Sequence, residues 1–322
     1  MNTNFVSAFA ERLAGFLEQK RALGYSYSNI SDFRIFDRMC AEQFSDETKL
    51  TADVCNTWAA RRGNESIKTT ARRIPFIREF ARYLIRNGEQ AYVLSNGTIK
   101  KGQRYIPHIY SRAEISEMWR TFDNIRPTKT YPTAHIVMPT LIRLLYCCGL
   151  RPSEALNLKT DDVDLNSGKL FVAESKGNRD RIVMLSDDVR EHCRNYNELI
   201  REYMLSRIFF FAKNSTDACE YTWVGWVFRK TIKKLRIESR SGNPPRLYDL
   251  RHTFATHRLY QWMHDGKDLY AMMPYLSSYM GHTKLTETFY YIHLVPGMLE
   301  AMSGFRYESA ADIFPEVMEA DE

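Results

Sequence analysis

Five side chains that together could break a phosphodiester bond occur in one order along the last two-thirds of the chain: Arg151, Lys176, Arg251, His282 and Tyr291. Cleavage without a metal ion builds negative charge on the non-bridging phosphate oxygens, and the two guanidinium groups can bind those oxygens while staying charged. The ammonium group of Lys176 could protonate the leaving oxygen as a general acid, and His282 could donate a hydrogen bond to the phosphate. The phenol of Tyr291 could be the nucleophile, but its ordinary pKa of about 10 requires neighbouring cations and a fixed position.

These side chains lie in four short strings whose other residues add to their specificity. The strings are GLRPSEALNL (149–158), ESKGNRDRIVML (174–185), LYDLRHTFATH (247–257) and MGHTKLTETFYYIH (280–293). In this order they resemble the tyrosine recombinase, or phage integrase, family of site-specific DNA recombinases. The resemblance spans both parts of the chain, and its specific signatures lie between Gly149 and His293.

The resemblance implies a mechanism and a set of partners. Tyr291 would become covalently joined to a 3′-phosphate of DNA and release a 5′-hydroxyl, and attack by the 5′-hydroxyl of a partner strand would reverse the step. Because the bond energy is kept in the phosphotyrosine, neither ATP nor a metal ion nor another cofactor is required. Members of the family act on double-stranded DNA as homotetramers on two sites, so we expect DNA integration or excision of a mobile element. Two alternatives stay open: a type IB topoisomerase, which shares this chemistry, and a sequence-specific DNA-binding protein with weakened catalysis.

The string around Arg251 departs from the family at one position. The usual pattern is H-x-x-R, whereas this chain has Tyr248 in place of the first histidine. A tyrosine can donate a hydrogen bond to a phosphate oxygen, but it does not exchange a proton near neutral pH as imidazole does. We therefore place Tyr248 in the catalytic set as a donor and expect weaker acid–base assistance.

Two adjacent tyrosines, Tyr290 and Tyr291, compete for the role of nucleophile. Neighbouring residues on a helix point about 100° apart, so only one of them can face the phosphate. The resemblance implies Tyr291, because the family's spacing from the GH dipeptide to its nucleophile fits the later of the two. Taken singly, each candidate could instead have a structural role, such as Arg151 in an ion pair with Glu154, but the joint occurrence in family order favours function.

The elements that must position these side chains are mainly helical. Residues 1–88 have the periodicity of four helices, and residues 159–185 alternate as short strands around two turns. Two helix starts are marked by a capping box of Ser111 with Glu114 and by Pro152 at a first helical position. The predicted fold class is therefore mainly α with a small β-sheet.

The same pattern divides the chain into four parts. Residues 1–88 form a small helical module that resembles the core-binding domain of the family, and residues 89–107 have the composition of a basic linker. Residues 108–305 are expected to form the α+β catalytic domain that breaks and rejoins DNA. The acidic tail, residues 306–322, either docks onto a neighbouring protomer, as in the resembling family, or is a frayed terminus.

The net charge of +6 is unevenly distributed along the chain. Residues 61–104 contain 11 basic and 3 acidic side chains, whereas residues 300–322 contain 1 basic and 7 acidic ones. A concentrated basic segment is expected where a protein contacts the phosphate backbone of DNA, although a solvated basic face is the simpler alternative. The candidate DNA-binding residues lie on the fourth helix and in the linker: Lys68, Arg72, Arg82, Arg86, Lys100, Lys101 and Arg104.

Several other classes of protein and site are disfavoured. No segment has the ~20 consecutive apolar residues of a membrane span, and the N-terminus lacks the basic region of a signal peptide. Six cysteines without a CxxC pair or metal-ligand spacing are typical of reduced thiols, so we expect a cytoplasmic protein that binds no metal. Residues 162–174 hint at a calcium loop, but the glycine falls one position late, and a hairpin turn explains the segment better.

Overall fold

The fold is mainly α-helical with one small β-sheet, which confirms the predicted class. The computed structural model describes residues 5–25, 30–63, 65–95, 97, 105–127, 132–173, 180–237, 242 and 244–294. The chain divides into two compact units, Met1–Arg104 and Tyr105–Glu322. In these described ranges, no helix combines the length and the apolar character that crossing a membrane requires.

Among its described residues, the first unit has the helices α1 (Ala10–Ala22), α2 (Ser31–Gln43), α3 (Ala52–Ala59) and α4 (Ile67–Arg86). Their apolar faces enclose a core rich in aromatic rings, which includes Phe9, Phe16, Phe33, Phe36, Trp58 and Phe80. The longest of them, α4, continues without a break through the exposed Pro75. It buries apolar side chains on the core side and leaves most of its basic ones outside, as an amphipathic helix does; Arg73 is the exception, since it is buried and paired with Glu65.

Residues at the start of the predicted linker pack against this first unit. The backbone amide of Tyr92 donates to the carbonyl oxygen of Leu50 over 2.8 Å, and the side chain of Leu94 is buried in the aromatic-rich core. The candidate DNA-binding residues of the linker lie outside the described residues: Lys100, Lys101 and Arg104.

The second unit combines helices with a three-stranded antiparallel sheet. Its strands, β1 (Val163–Asp164), β2 (Lys169–Val172) and β3 (Arg181–Met184), pair in the order β1-β2-β3. The described helices are α5 (Arg112–Asp123), α6 (Ala134–Cys147), α7 (Pro152–Asn157), α8 (Asp187–Arg201), α9 (Tyr221–Ile232), α10 (Asp249–His264), α11 (Leu269–Met280) and α12 (Thr286–Phe289). A 3-10 helix, Tyr290–Leu294, follows α12 directly. Most side chains of α6 are buried, so this helix lies at the centre of the unit.

Both predicted helix starts in this unit are confirmed. The hydroxyl of Ser111 accepts from the backbone amide of Glu114 over 3.2 Å, and the Glu114 carboxylate accepts from the amide of Ser111 over 2.7 Å. Pro152 is the first residue of α7, and Arg151 is the residue immediately before it. The proline at the first helical position thus determines where α7 begins and so where Arg151 lies.

Candidate active site

Arg151 and Glu154 form an ion pair at the start of α7. Nη1 of Arg151 lies 2.6 Å from Oε1 of Glu154, and the other oxygen of this carboxylate accepts from the backbone amide of Arg151. Burial lowers the pKa of Arg151, but Glu154 and, more weakly, Tyr248 raise it above its ordinary value. The structural role considered for Arg151 is therefore present, and 11% of the side chain is still exposed.

Glu154 is a buried carboxylate shared by three arginines. Arg181, the first residue of β3, binds it with both terminal nitrogens at 3.0 and 2.8 Å, and Nη1 of Arg251 lies 3.9 Å away. Burial alone would raise the pKa of Glu154, but the hydrogen bonds and charge of Arg181 lower it to about 2. The carboxylate is therefore ionised at neutral pH and holds the guanidinium groups in fixed positions.

Arg251 lies in the interior near the start of α10 and is 1% exposed. Its two terminal nitrogens donate to the carbonyl oxygens of Gly149 and Met280, each over 2.6 Å. Nη2 of Arg151 likewise donates to the carbonyl oxygen of Gly281 over 2.9 Å. Carbonyl groups are dipoles without net charge, so they orient the two guanidinium groups and leave positive charge available to a phosphate.

The two glycines of these contacts occupy positions where a side chain would clash. Their φ angles are +60° at Gly149 and +64° at Gly281, in the left-handed region. A Cβ atom on Gly149 would lie 2.3 Å from the ring of Phe254, and one on Gly281 would lie 2.8 Å from Nη1 of Arg181. Gly281 also ends α11, so the last carbonyl groups of that helix are free to meet the arginines.

Tyr291 lies in the 3-10 helix after α12 and packs beside this cluster. Its ring centroid is 6.0 Å from that of His282, with the planes 14° apart, and 5.6 Å from that of His252. Burial raises the pKa of Tyr291 to about 12, while the charge of Arg251 acts in the opposite direction. The phenol is therefore protonated at neutral pH, and its activation requires a change in its surroundings.

His282 is buried against the same cations. Its Nδ1 lies 2.7 Å from Oγ1 of Thr288, a fully buried residue of α12. Burial, followed by the charges of Arg251 and Arg151, lowers the pKa of His282 to about 3, so the imidazole is neutral near pH 7. If the hydroxyl of Thr288 donates to Nδ1, the ring carries its proton on Nε2, where it can form a hydrogen bond to a phosphate oxygen.

Tyr248, the residue before α10, is half-buried beside the cluster. Its ring centroid lies 5.1 Å from that of His252, and its hydroxyl interacts with the guanidinium of Arg151. The pKa of His252 is lowered to about 4 by burial and then by the charges of Arg246 and Arg251. Two neutral imidazoles therefore lie next to the phenol of Tyr291.

The described residues include five of the six predicted catalytic side chains, and the structure brings these five into one cluster: Arg151, Tyr248, Arg251, His282 and Tyr291. Lys176 lies outside the described residues, in the segment between the paired strands β2 and β3.

The sequence prediction missed Arg181 and Thr288. Arg181 had a weak signal, since it opens a β-branched run directly after a predicted turn. Thr288 had none, because it is one of three threonines between His282 and Tyr291.

The predicted basic face of α4 is open to solvent. Its four candidate residues are all exposed, and their spacing along the helix puts them on one side of it: Lys68, Arg72, Arg82 and Arg86. Such a face can meet the phosphate backbone of DNA without distortion of the core beneath it.

The second unit has a basic surface of its own, which the sequence prediction did not single out. Along α9 and the turn after it, five basic side chains are exposed: Arg229, Lys230, Lys233, Lys234 and Arg236. Nζ of Lys230 lies 4.9 Å from the ring centroid of Trp226, which is itself 45% exposed. Basic side chains interleaved with an exposed aromatic ring are a combination that suits nucleic acid.

The cluster has the chemistry to bind an anion, and a phenol lies at its edge. Three guanidinium groups surround a single carboxylate, and the phenol of Tyr291 lies beside them. Across the part of the chain that the structure describes, no group of three or more His, Cys, Asp or Glu side chains is placed to hold a metal ion. Fixed guanidinium groups can stabilise the charge of a phosphate under attack by a neighbouring oxygen.

Comparison with known proteins identifies the family of the chain. Residues 114–297 match the phage integrase family. The chain is 30% identical over 249 residues to the tyrosine recombinase XerC of Chlorobaculum tepidum, with 70% of this chain and 69% of that protein covered.

Solved structures share the fold. The XerH site-specific recombinase, in a post-cleavage complex with palindromic difH substrate, has a TM-score of 0.64 at 17% identity, with 95% of this chain and 91% of that chain covered. The Tn1549 transposon integrase, in complex with circular intermediate DNA, has a TM-score of 0.61 at 17% identity, with 87% and 94% covered. The chain belongs to the phage integrase family and is a tyrosine-type site-specific recombinase.

Proposed function

We propose that this recombinase cuts DNA through a covalent 3′-phosphotyrosine formed at Tyr291, with no metal ion and no ATP. The observation that carries the proposal is the buried cluster in which the guanidinium groups of Arg151 and Arg251 meet the phenol of Tyr291 around Glu154. Cations held in a buried site act through a lower dielectric than water, so they stabilise developing charge strongly.

The reaction begins when a DNA phosphate binds to Arg151 and Arg251 through its non-bridging oxygens. The oxygen of Tyr291 attacks the phosphorus in line, the bond to the 5′-oxygen breaks, and Lys176 protonates that leaving oxygen. His282 donates its Nε2 proton in a hydrogen bond to the phosphate. Attack by the 5′-hydroxyl of a second strand reverses these changes, rejoins the DNA and restores the phenol.

Activation of Tyr291 is coupled to the arrival of DNA. Its pKa of about 12 keeps the phenol protonated, and Arg251 is the charge that favours loss of the proton. The ring of His252 is neutral and lies beside the phenol, so it is available to accept this proton.

Tyr248 donates a hydrogen bond to the phosphate where most relatives would have histidine. Because a phenol does not exchange protons near neutral pH, we expect weaker acid–base assistance than an imidazole would give. Replacing Tyr248 with Phe should lower the cleavage rate about tenfold, the value of one hydrogen bond to a charged group. An unchanged rate would remove Tyr248 from the catalytic set.

The DNA-binding role rests on the exposed basic surfaces of α4 and of α9, and on relatives whose solved structures contain DNA. We propose that residues 1–88 form a core-binding domain and residues 108–305 the catalytic domain. The enzyme then acts in the cytoplasm as a homotetramer on two DNA sites and integrates or excises a mobile element. The acidic tail, residues 306–322, lies outside the described residues, and its docking onto a neighbouring protomer stays part of this proposal.

A nicked duplex that traps the intermediate tests the proposal. The recognition site is first selected from random DNA by the protein, and a nick next to the cleavage point then lets the released fragment diffuse away. With a chelator present and no ATP, we expect an adduct that survives denaturation, is joined to the 3′ end and leaves a free 5′-hydroxyl.

The two alternatives predict different results in the same experiments. Tight binding to the selected site without any adduct would favour a DNA-binding protein that has lost catalysis. Adduct formation and relaxation of supercoiled DNA, without joining between two DNA molecules, would favour a topoisomerase.

A further inference from the structure

Arg246 is an exposed arginine that a buried carboxylate holds in place. Its Nη2 lies 3.3 Å from Oδ1 of Asp249, and its backbone amide donates to Oδ2 of the same residue over 2.9 Å. The Asp249 side chain is fully buried, whereas 48% of the Arg246 side chain is exposed. The carboxylate therefore fixes a cation at the surface of the second unit.

Tyr105 completes this anchor. Its hydroxyl donates to Oδ2 of Asp249 over 2.8 Å, and the guanidinium carbon of Arg246 lies 3.2 Å from the centroid of the Tyr105 ring. An arginine stacked on an aromatic face and bound to a carboxylate on one side has few rotamers left. Its side-chain freedom is lost on folding, so a ligand that binds the guanidinium does not have to oppose that loss again.

The anchored cation is close to the catalytic cluster along the chain and in space. Tyr248 and Arg251 follow it on the same turn and the start of α10. Burial is the largest cause that lowers the pKa of His252, and the positive charge of Arg246 is the next. The ring of His252 lies 5.6 Å from that of Tyr291. Arg246 thus combines nearness to the cluster with an exposed guanidinium.

We propose that Arg246 binds a DNA backbone phosphate next to the phosphodiester that Tyr291 attacks, an inference that rests on the proposed function. A guanidinium fork fits the oxygens of a phosphate, and the partner carboxylate of Asp249 is buried, so an approaching strand meets the cation first. Arg246 then keeps the strand in register while Arg151 and Arg251 hold the reacting phosphate.

Neutral methylphosphonate linkages, placed one at a time along the cleaved strand, test this contact. Binding is measured in a Tyr291→Phe background, so that cleavage does not interfere. In this parent protein, a linkage beside the cleavage point should weaken binding. After Arg246→Ala, the same linkage should have no further effect, and the slope of log affinity against log salt should decrease by about 1.

Two variants separate the contact from a structural effect. Arg246→Lys keeps the charge without the fork, so it should restore the salt slope and recover part of the affinity. Arg120→Ala is the matched control, because Arg120 is an exposed arginine of α5 that is already paired with Glu117. Thermal unfolding of each variant shows whether the second unit is still folded, and Arg246→Gln replaces Arg246→Ala should the latter unfold.

The outcomes distinguish this inference from the function beneath it. If the Arg246→Ala protein responds to every methylphosphonate as its parent does, the proposed contact does not exist. If the Tyr291→Phe protein still forms covalent adducts, the proposed nucleophile is wrong, and the Arg246 contact is then tested by the same binding measurement in a background that replaces the residue carrying the adduct.

Discussion

The cluster around Glu154 and the outer face of α4 use the same charged groups in different ways. In the cluster, the side chains of Arg151, Arg181 and Arg251 have exposures of only 11%, 8% and 0%, and each is bound to a carboxylate or a carbonyl oxygen. On α4, the basic side chains are exposed to water: Lys68, Arg72, Arg82 and Arg86. A buried cation is fixed in direction and weakly screened, whereas an exposed one attracts DNA over a longer distance and is screened by salt. Geometry should therefore matter in the cluster, and charge alone on the helix.

Arg151→Lys tests this contrast and should have the largest effect on the cleavage rate. The substitution keeps the charge but removes the planar fork that binds Glu154 and the carbonyl oxygen of Gly281. We expect the cleavage rate of bound DNA to fall about 10²- to 10³-fold, with little change in DNA affinity. The rate is measured on the nicked duplex at saturating protein. Arg72→Lys, the same change on α4, should have a far smaller effect, and equal losses at both positions would contradict the contrast.

Arg181→Met should test whether the ion pairs of the cluster also support folding. It leaves the buried Glu154 without the arginine that binds it most fully, and breaking a buried pair costs about 3–5 kcal/mol. The free energy of unfolding, measured with a denaturant, should fall by that amount. Arg82→Met on α4 should change it by no more than about 0.5 kcal/mol. If Arg181→Met also loses no more than about 0.5 kcal/mol, Arg151 and Arg251 are sufficient to satisfy the Glu154 carboxylate.

Acid should destabilise the cluster through His282. Its pKa is about 3 in the folded chain against an ordinary value of 6.5, so below pH 6.5 the unfolded chain binds a proton that the folded chain does not. The stability that depends on a neutral His282 is fully present above pH 6.5. It is lost progressively as the pH falls towards 3, and the loss reaches about 2 kcal/mol at pH 5. Unfolding at pH 7 and pH 5 should therefore show a smaller loss for His282→Asn than for the wild type. Equal losses would show that His282 is not the source.

Single substitutions on α4 test the other side of this contrast, and they should have the smallest effects. Arg72→Ala and Arg86→Ala should each weaken DNA binding and reduce its salt slope by about 1, because each removes one phosphate contact. Cleavage of DNA that is already bound should be unaffected. Arg38→Ala, which removes an exposed arginine of α2 outside this face, is the matched control. A fall in the cleavage rate of bound DNA without a change in affinity would place these residues in the chemistry instead.

The sequence predicts those features that depend on neighbours in the chain. The capping box at Ser111 and the helix start at Pro152 are confirmed, since capping involves residues within one turn. The meeting of Arg151, Arg251 and Tyr291 follows only from the order of the four strings, because these residues come from separate elements. No local pattern in the sequence reports such a long-range approach.

The residues that the sequence did not reveal owe their roles to long-range packing. Arg181 reaches Glu154 only because β3 pairs with β2 in a register that sets Arg181 opposite Val172 at the edge of the cluster. Arg246 resembles any surface arginine until Tyr105, far away in the sequence, covers one side of its guanidinium. Burial and stacking of this kind are properties of the folded chain.

Identifying the residue that carries DNA in the trapped adduct tests the role of Tyr291 most directly. After nuclease digestion of the adduct, fragmentation of the linked peptide should place the nucleotide on Tyr291, and Tyr290→Phe should still form the adduct. A nucleotide on Tyr290, or an adduct that persists in Tyr291→Phe, would contradict the assignment of the strand break to this buried phenol.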